Sequence, residues 1–475
     1  MPEPRLIARA ALFGALATSL LASGSTALAA EPTAGAEAAT AADTPPATSP
    51  APIDAEDRAA LGALGAALPT HGVLPPKRPG ATADDDAWRA YAGALLAVFA
   101  PDHLGPTERA RLLRDVRPLA PAIRALVPTH RRYRALQAAL ALAARRELGP
   151  QPLIGDPPYE VRVGVTAPEV ATLRDRLLLE GYGDASVTGK LRAYFDHRLK
   201  RALWKWQQDH GLPVTVVLDP LTRRRLDEPL PNEVRALAVA LRRWRRLDLR
   251  EDRGRQIVVH LNAYRLEADE DGREKVAMKV IIGRATAVDA TPAMSAPLDA
   301  VVTNPDWRVP RRIVEESMRA RAADDPAALE AEGYEVKVGK GGEWLVRQPP
   351  GPDNPLGVLK FRLRGTDGVY LHDTSAPKLF KKEARALSHG CVRLERPREL
   401  AAWLVPERRA DVTGELSGGP TERIPVEPAA TVHFLYATTA VDAAGRVEHF
   451  PDVYGRDAEE APVDVAALVK ALAEE

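Results

Sequence analysis

The segment Ser388-His389-Gly390-Cys391-Val392-Arg393 contains the one cysteine of this 475-residue sequence. A second histidine lies upstream in the segment Tyr370-Leu371-His372-Asp373-Thr374. A thiol is mostly protonated at neutral pH, so a reactive cysteine needs a group that takes its proton or stabilises the thiolate. The two segments therefore predict a cysteine nucleophile with a histidine as its base.

His372 is the better candidate for this base. It ends a predicted strand and can face the sulfur from a neighbouring strand, whereas His389 is almost adjacent to Cys391 and is geometrically constrained. Gly390 permits unusual backbone dihedrals, and such a turn can direct backbone N–H groups at the oxygen of an attacked carbonyl. The compact Ser-His-Gly-Cys setting argues against an inert buried cysteine.

The residues around these two segments predict a β-rich catalytic domain over 232–460. Runs with strand character alternate with turns, at residues 255–261, 264–267, 275–283, 300–305, 358–363 and 369–372. Residues 311–342 are charged and have a helical pattern. We expect them to form a helical insertion that leaves the sheet, and we expect residues 461–475 to form a C-terminal helix or tail.

The first residues predict export. Residues 1–29 combine two arginines with an apolar run and end in Ala27-Leu28-Ala29, which is the pattern of a cleavable secretory signal. A membrane anchor is the weaker alternative, because the apolar run is shorter than the roughly 20 residues that span a bilayer. Residues 30–53 lack large apolar side chains and predict a disordered linker.

Helical periodicity follows this linker. Residues 54–150 predict an all-helical N-terminal domain, in which 131–134 is interpreted as a solvated helix face in preference to a contact for an anionic polymer. Residues 160–230 predict three short helices, with Gly211 where the middle helix stops. Two tryptophans of that helix, Trp204 and Trp206, are interpreted as core and rim packing in preference to a sugar platform.

The segment 160–230 resembles the three-helix peptidoglycan-binding module of bacterial wall enzymes. In that module an aromatic-Gln helix ends in Gly-Leu and is followed by a loop and a Thr-headed helix, as in Trp206-Gln207, Gly211-Leu212 and Thr222 here. The usual Asp-Gly loop is replaced by residues 213–217.

The two catalytic segments resemble those of the L,D-transpeptidases with a YkuD-type catalytic domain. The likeness extends over residues 232–457 and to the large multidomain periplasmic subgroup, through the segments Thr291-Pro292-Ala293-Met294, Asn304-Pro305-Asp306-Trp307-Arg308-Val309-Pro310, 348–357, Lys360-Phe361 and Leu379-Phe380. The resemblance implies a multidomain α+β protein: an all-helical N-terminal domain, a peptidoglycan-binding module and a β-rich catalytic domain with a helical capping insertion.

The resemblance also implies a reaction. The Cys391 thiolate attacks the carbonyl between diaminopimelate and the terminal D-alanine of a donor stem tetrapeptide, and D-alanine leaves as a thioester forms. The amine of an acceptor stem then attacks the thioester to give a 3-3 cross-link. His372 acts as the base, and its tautomer is held by a backbone carbonyl such as that of Asp373.

Further residues take supporting roles by the same resemblance. Backbone N–H groups near His389, Gly390 and Cys391, in the turn that Ser388 begins, are predicted to form an oxyanion hole. Arg393 is predicted either to bind a substrate carboxylate or to fix this turn, and both roles stay open. Two aromatic residues are predicted to line the substrate cleft, namely Tyr370 and Trp307.

Three alternatives compete with this function. A papain-like protease usually presents its cysteine before its histidine, which is the opposite order from this chain. A hydrolytic variant, such as an L,D-carboxypeptidase, would use water as the acceptor, and no sequence feature excludes it. A non-catalytic wall-binding scaffold is disfavoured because Cys391 and His372 are both intact.

Composition adds limits on partners and location. The sequence is 45% hydrophobic and has 65 basic and 65 acidic residues, so its net charge gives no reason to expect nucleic acid. The ten histidines show no metal-ligand spacing, and we expect neither a metal nor another cofactor. We expect a periplasmic monomer without a transmembrane segment in the mature chain, whose partners are peptidoglycan stem peptides.

Overall fold

The computed structural model describes residues 52–148, 151–157, 159–184, 186–228, 233–247, 249–250, 254–366, 368–416 and 419–474. The predicted secretory signal and almost all of the predicted linker lie outside these residues. The described residues are 40% helix and 19% strand, which confirms the predicted α+β class. Within the described residues, no helix is both long enough and apolar enough to span a bilayer.

The segment predicted as a helical N-terminal domain contains helices at α1 (Ala55–Ala66), α2 (Asp85–Phe99), α3 (Pro106–Asp115), α4 (Leu119–Arg124) and α5 (Arg131–Glu147), with a 3-10 turn at Leu68–His71. The Asp54 carboxylate caps α1 by accepting the N–H of Asp57 at 2.8 Å. Helices α1–α4 enclose an apolar core around Leu61, Leu95 and Phe99, whereas α5 packs elsewhere.

The predicted three-helix module contains α6 (Pro168–Leu179), a 3-10 turn at Gly189–Ala193, α7 (His197–Asp209) and α8 (Pro220–Leu226). Trp206 is fully buried in its core, whereas Trp204 is 45% exposed. The Gln207 side-chain amide is also buried, donates to the hydroxyl of Thr222 at 2.8 Å and accepts the N–H of Val216 at 2.9 Å. This amide therefore fixes the loop that replaces the usual Asp-Gly turn.

The remaining elements begin with α9 (Val234–Arg245) and continue with strands of the catalytic region. They are β1 (Arg255–His260), β2 (Arg265–Glu270), β3 (Arg273–Gly283), β4 (Met294–Thr303), β5 (Trp307–Arg308), α10 (Arg311–Ile313), a π turn (Val314–Met318), α11 (Arg319–Arg321), α12 (Pro326–Ala331), β6 (Glu335–Val338), β7 (Trp344–Gln348), β8 (Leu359–Leu363), β9 (Leu371–His372), a 3-10 turn (Pro377–Lys381), β10 (Ala386–Ser388), β11 (Val392–Leu394), α13 (Pro397–Leu404), a 3-10 turn (Pro406–Arg408), α14 (Arg409–Thr413), β12 (Glu422–Leu435), β13 (Thr439–Val441), β14 (Val447–His449), a 3-10 turn (Arg456–Glu459) and α15 (Val465–Ala473).

Eight of these strands close into a ring. Their order is β3-β11-β9-β8-β4-β12-β1-β2, and β2 pairs again with β3, while β10 branches from β3. Strand β1 runs parallel to β12 and β9 runs parallel to β11, whereas β4 is antiparallel to both of its neighbours. Apolar side chains such as Leu298, Phe361 and Phe434 are fully buried in the core that these strands share with α13.

The predicted helical insertion contains helices α10–α12, and it also contains strand β6, which pairs with β7 just beyond it. Strands β5, β7 and β6 pair in that order, and the helices between them share a core that includes Val314, Leu329 and Trp344. The segment Glu335-Val336-Lys337-Val338 alternates polar with β-branched residues, which favours a strand with one face on this core. The three strands of this small sheet are two to five residues long, which is too short to be recognised within the charged sequence around them.

Helix α5 packs against the catalytic region. It shares a buried core with α9 and α15, and Val258 and Leu435 of the closed sheet contact the same core. The N-terminal helices and the strands are thereby joined through one apolar cluster.

Buried carboxylates on β2 reinforce this junction. The Arg132 Nε donates to Glu267 Oε2 at 2.7 Å, and the Arg131 Nη1 donates to Asp269 Oδ1 at 3.2 Å. Both carboxylates are less than 5% exposed. Arg131 and Arg132 therefore hold the helix on the sheet, and Tyr133 is buried, so the interpretation of this run as a solvated helix face is wrong for all but the exposed Arg134.

The replacement Glu267→Gln tests this junction. Burial alone would raise the pKa of Glu267, but the hydrogen bonds and charges of His260 and Arg132 hold this pKa well below the ordinary 4.5. Because the folded pKa is depressed, the carboxylate stabilises the fold fully above pH 4.5, and this contribution is lost as pH falls towards the folded pKa. We expect Glu267→Gln to lower the free energy of unfolding by about 3 kcal/mol at pH 7, since it leaves the Arg132 charge without its partner.

Urea unfolding at pH 7 and at pH 4 measures this effect. The control is Glu274→Gln, because Glu274 is 39% exposed on the neighbouring strand and lies 3.8 Å from Arg131. The difference in the free energy of unfolding between wild type and Glu267→Gln should be smaller at pH 4 than at pH 7. If both replacements lowered the free energy of unfolding equally, the buried carboxylate would not be what joins the helix to the sheet.

Candidate active site

The pairing of β9 with β11 places the candidate residues on one face of the sheet. These parallel strands align Val392 with Leu371 and Arg393 with His372. Val392 and Leu371 are fully buried in the core. Because side chains alternate between the two faces of a strand, Cys391, Arg393 and His372 lie on the opposite face.

Strand β8 adds a cation to this face. Its register places Lys360 beside His372, and the Lys360 Nζ lies 3.9 Å from the centre of the Tyr370 ring. The Tyr370 ring meets the His372 ring edge-on, with 5.6 Å between their centres. Three neighbouring strands thus bring together a thiol, an imidazole, a phenol and two cations.

Cys391 lies just before β11 and is partly exposed. Its Sγ donates to the carbonyl oxygen of Gly368 at 3.4 Å. Burial of the Cys391 sulfur raises the pKa of the thiol, against hydrogen bonds from Tyr370 and the charges of Lys360 and Arg393. The resting side chain is therefore a neutral thiol beside two groups that can stabilise its thiolate.

His372 is only 4% exposed. Burial lowers its pKa to about 3, as do the charges of Arg393 and Lys360, while the carbonyls of Asp373 and Pro355 act in the opposite direction. The imidazole is therefore neutral at neutral pH and can accept a proton. Its Nδ1 atom is buried and makes no well-aligned hydrogen bond within the described residues.

The carbonyl that faces His372 from Pro355 belongs to a tightly held loop. The Asn354 amide donates to the carbonyls of Pro305 and Pro349, each at 3.1 Å. The Asp373 side chain accepts the N–H of Val358 at 3.0 Å. Asp373 therefore supports His372 with its backbone, while its carboxylate anchors this loop.

The turn before Cys391 is closed by its own hydrogen bonds. The Ser388 hydroxyl donates to the Cys391 carbonyl at 2.5 Å and accepts the N–H of Gly390 at 3.2 Å. Gly390 has a φ of 113°, a conformation that residues with a side chain rarely adopt. In the described part of the chain, the N–H groups of His389 and Cys391 make no hydrogen bond.

Thr291 holds the other side of this turn. Its hydroxyl donates to the Gly390 carbonyl at 2.8 Å and accepts the N–H of Gly283 at 2.9 Å. The Tyr454 hydroxyl donates to the Gly283 carbonyl at 2.9 Å and accepts the N–H of Thr291 at 3.2 Å. The turn that carries the nucleophile is thereby fixed to β3.

The capping insertion reaches the site at two places. Arg312 forms an ion pair with Asp289, a 2% exposed carboxylate that also binds Arg284 at 2.7 Å. Burial would raise the pKa of Asp289, but hydrogen bonds from Arg312, Arg284 and Thr286 hold it below its usual range. Burial raises the pKa of Tyr370, whereas the side chain of Trp307, just before the insertion, acts to lower this pKa.

The structure brings most of the predicted site residues together. Cys391, His372, Tyr370 and Arg393 share one face, and Trp307 on β5 is near enough to influence the pKa of Tyr370. The His389 side chain is instead exposed, and its pKa is lowered by partial burial and then by the charges of Arg284 and Arg312. The Gly390 N–H, predicted as an oxyanion donor, is already bound to Ser388, because the hydroxyl closes the turn on itself.

Sequence reasoning missed several residues with a clear place in the site. Lys360 could have been found from its alternation with buried Phe361, once β8 was placed beside β9. Thr291 and Asp289 are brought to the turn by long-range contacts that no local pattern reveals. In the described ranges, no group of three or more His, Cys, Asp or Glu residues is arranged to hold a metal ion.

Two family models match this chain. The model of the L,D-transpeptidase catalytic domain, YkuD, matches residues 254–416. The model described as "Putative peptidoglycan binding domain" matches residues 166–226. The first match covers β1 to α14 with the whole candidate site, and the second covers helices α6–α8.

Individual proteins also resemble the chain. A Haemophilus influenzae protein named "Putative L,D-transpeptidase" is 33% identical over 220 residues, which are 42% of this chain and 44% of that protein. The chain thus spans less than half of that relative's length. Among solved structures, an L,D-transpeptidase from Xylanimonas cellulosilytica is 18% identical over 59% of this chain and 98% of its own, with a TM-score of 0.18. An L,D-transpeptidase from Mycobacterium smegmatis is 16% identical over 38% of this chain and 58% of its own, with a TM-score of 0.22.

Residues 254–416 thus match the L,D-transpeptidase catalytic domain YkuD, and residues 166–226 before them match a peptidoglycan-binding domain, in agreement with the predicted resemblance of both segments.

Proposed function

We propose that this protein forms 3-3 cross-links in peptidoglycan through a thioester on Cys391. In the first step the sulfur attacks the carbonyl between diaminopimelate and the terminal D-alanine of a donor tetrapeptide. In the second step an amine of an acceptor stem attacks the thioester. The observation that carries the proposal is the shared face of β8, β9 and β11, on which a thiol, a neutral imidazole and two cations converge.

Proton transfer follows from the protonation states of the resting site. A thiol with a raised pKa and an imidazole with a lowered pKa are both neutral, so the proton leaves Cys391 as the attack occurs. His372 takes this proton and later gives it to the leaving D-alanine amine. Lys360 and Arg393 stabilise the negative charge that develops on the sulfur.

Two backbone donors remain for the oxygen of the attacked carbonyl. The N–H groups of His389 and Cys391 are not committed to other residues in the described chain, whereas that of Gly390 is bound to Ser388. Donors that are fixed before the reaction stabilise the developing oxyanion without reorganisation. The hydrogen bond from Thr291 to the Gly390 carbonyl supports this arrangement by fixing the turn.

Arg393 suits a role beside the reacting atoms. It lies opposite His372 in the register, and burial lowers its pKa against the influence of Cys391 and Tyr370. We assign it to the substrate carboxylate and the thiolate, with Tyr370 and Trp307 lining the donor cleft. The peptidoglycan-binding domain would hold the same polymer outside the cytoplasm, in agreement with the predicted secretory signal and periplasmic location.

The replacement Cys391→Ala should abolish this reaction. We expect product formation from disaccharide-tetrapeptide muropeptides to fall by about 10³-fold or more, because the covalent route is lost. Mass analysis of the products identifies the acceptor: a cross-linked dimer indicates transpeptidation, and a tripeptide indicates hydrolysis.

A matched control separates chemistry from folding. Ser375→Ala changes a small exposed residue three positions after His372 and should leave the products unchanged. A dimer formed at the wild-type rate by Cys391→Ala would contradict the proposal. Tripeptide as the sole product would retain the nucleophile but replace transpeptidation with the hydrolytic alternative.

The replacement Lys360→Met tests the electrostatic part of the mechanism. Loss of this positive charge should raise the pKa of Cys391 further, since the ammonium stabilises the thiolate. The rate of Cys391 alkylation by iodoacetamide should therefore fall at pH 7 and recover at high pH. The midpoint of the pH profile of alkylation should thus shift to higher pH.

The control for this measurement is Lys275→Met. Lys275 is on β3, and its ammonium lies 3.9 Å from Glu270 on the neighbouring strand. Its replacement should leave the alkylation profile in place. An unchanged profile in Lys360→Met, or one that moves to lower pH, would remove Lys360 from the mechanism.

A further inference from the structure

A second polar cleft lies outside the candidate active site. It has a volume of about 560 Å³ and is bounded by residues 72–74 and 97–109 of the N-terminal helical segment, 242–246 at the end of α9, and 462–464 before α15. Volumes of roughly 300–1,000 Å³ are typical of sites for small molecules. Four arginines line the cleft: Arg109, Arg242, Arg245 and Arg246.

Two of these arginines share one carboxylate, that of Glu460, which also pairs with Arg243. Arg242 pairs with Glu460 at 3.2 Å, and Arg246 pairs with the same carboxylate at 3.1 Å. Two carboxylates also line the cleft: Asp464 caps α15 by accepting the N–H of Ala467 at 3.0 Å, and Asp102 is exposed to solvent. The other two arginines that line the cleft are Arg245 and Arg109.

Arg245 is the unusual member of this group. Its side chain is 3% exposed, and within the described residues it forms no ion pair with a carboxylate. Its Nη1 donates to the carbonyl of His71 and, at 3.5 Å, to the hydroxyl of Tyr133. Its Nε atom is buried without a hydrogen-bond partner in the described chain.

Arg385 is a buried arginine that makes more hydrogen bonds than Arg245. Arg385 is also buried and has no carboxylate partner among the described residues, but its guanidinium donates to four backbone carbonyls, those of Tyr264, Val280, Lys382 and Glu383. Arg245 has one carbonyl and one hydroxyl. A buried charge that is neither paired nor saturated with hydrogen bonds is costly, so the site retains capacity for an anion.

Arg109 offers a second donor at the rim. It is half-buried on α3, and its Nε donates to the Leu104 carbonyl at 2.7 Å. As for Arg245, no described carboxylate forms an ion pair with it. Guanidinium groups present several donors in a fixed planar array that suits carboxylate and phosphate oxygens.

We propose that this cleft binds an oxyanion, the carboxylate or phosphate group of a small molecule or polymer, through Arg245 and Arg109. The anion would neutralise Arg245 and contact three parts of the chain at once. Close packing supports a preformed site, because Gly72 lies so near α9 that a Cβ there would come within 2.8 Å of the Ala238 Cα. This site is independent of Cys391 and of the proposed cross-linking reaction.

Thermal unfolding of the full chain tests this site with inorganic phosphate and with citrate as probes, at constant ionic strength. We expect a saturable rise in Tm of about 2–4 °C for the wild type, because an anion that binds the folded state stabilises it. The rise should be lost in Arg109→Gln. It should persist in Arg111→Gln, which removes an exposed arginine from the same helix.

Arg245→Gln provides a second test where circular dichroism shows that it folds, and it too should lose the rise. The two probes distinguish the source of the anion: saturation at a lower concentration of phosphate indicates a phosphate ligand, and of citrate a carboxylate ligand. An equal rise in Arg109→Gln and Arg111→Gln would overturn the proposal, as would the absence of a saturable rise with either probe.

Discussion

The pairing of β9 with β11 is the constraint on which the rest of the site depends. Two fully buried side chains, Leu371 and Val392, hold this parallel pair against the core. Their neighbours in the chain must therefore lie on the other face, which places His372 and Arg393 together. A register shift by one residue would exchange the two sets and destroy the site. The core of the closed sheet thus fixes the geometry of the chemistry.

The surrounding elements limit how the site can move. Thr291 and Tyr454 fix the turn before Cys391 to β3, and the Asp289–Arg312 ion pair joins the same region to the capping insertion. The site is electrostatically asymmetric, because a neutral imidazole and a neutral thiol lie beside Lys360 and Arg393. In such a site the thiol is protonated at rest, and the thiolate forms during the attack.

Much of the catalytic region could be predicted from the sequence, since the strands around His372 and Cys391 have strong local patterns. Other features could not be predicted. The role of residues 131–134 depends on Glu267 and Asp269, which are distant in sequence and come together only after the sheet forms. The small sheet beside the insertion is built from short strands, and these strands pack on a small apolar core that is separate from the core of the closed sheet. The anion cleft is likewise assembled from three distant segments.

We propose that Cys391 is the acylated nucleophile. Mass spectrometry of the intact protein after incubation with a carbapenem, followed by peptide mapping, tests this role most directly. We expect one covalent adduct, located on the peptide that contains Cys391 and missing in Cys391→Ala. A folded protein that forms no adduct, or that forms it on another residue while Cys391→Ala keeps the wild-type activity, would exclude this role for Cys391.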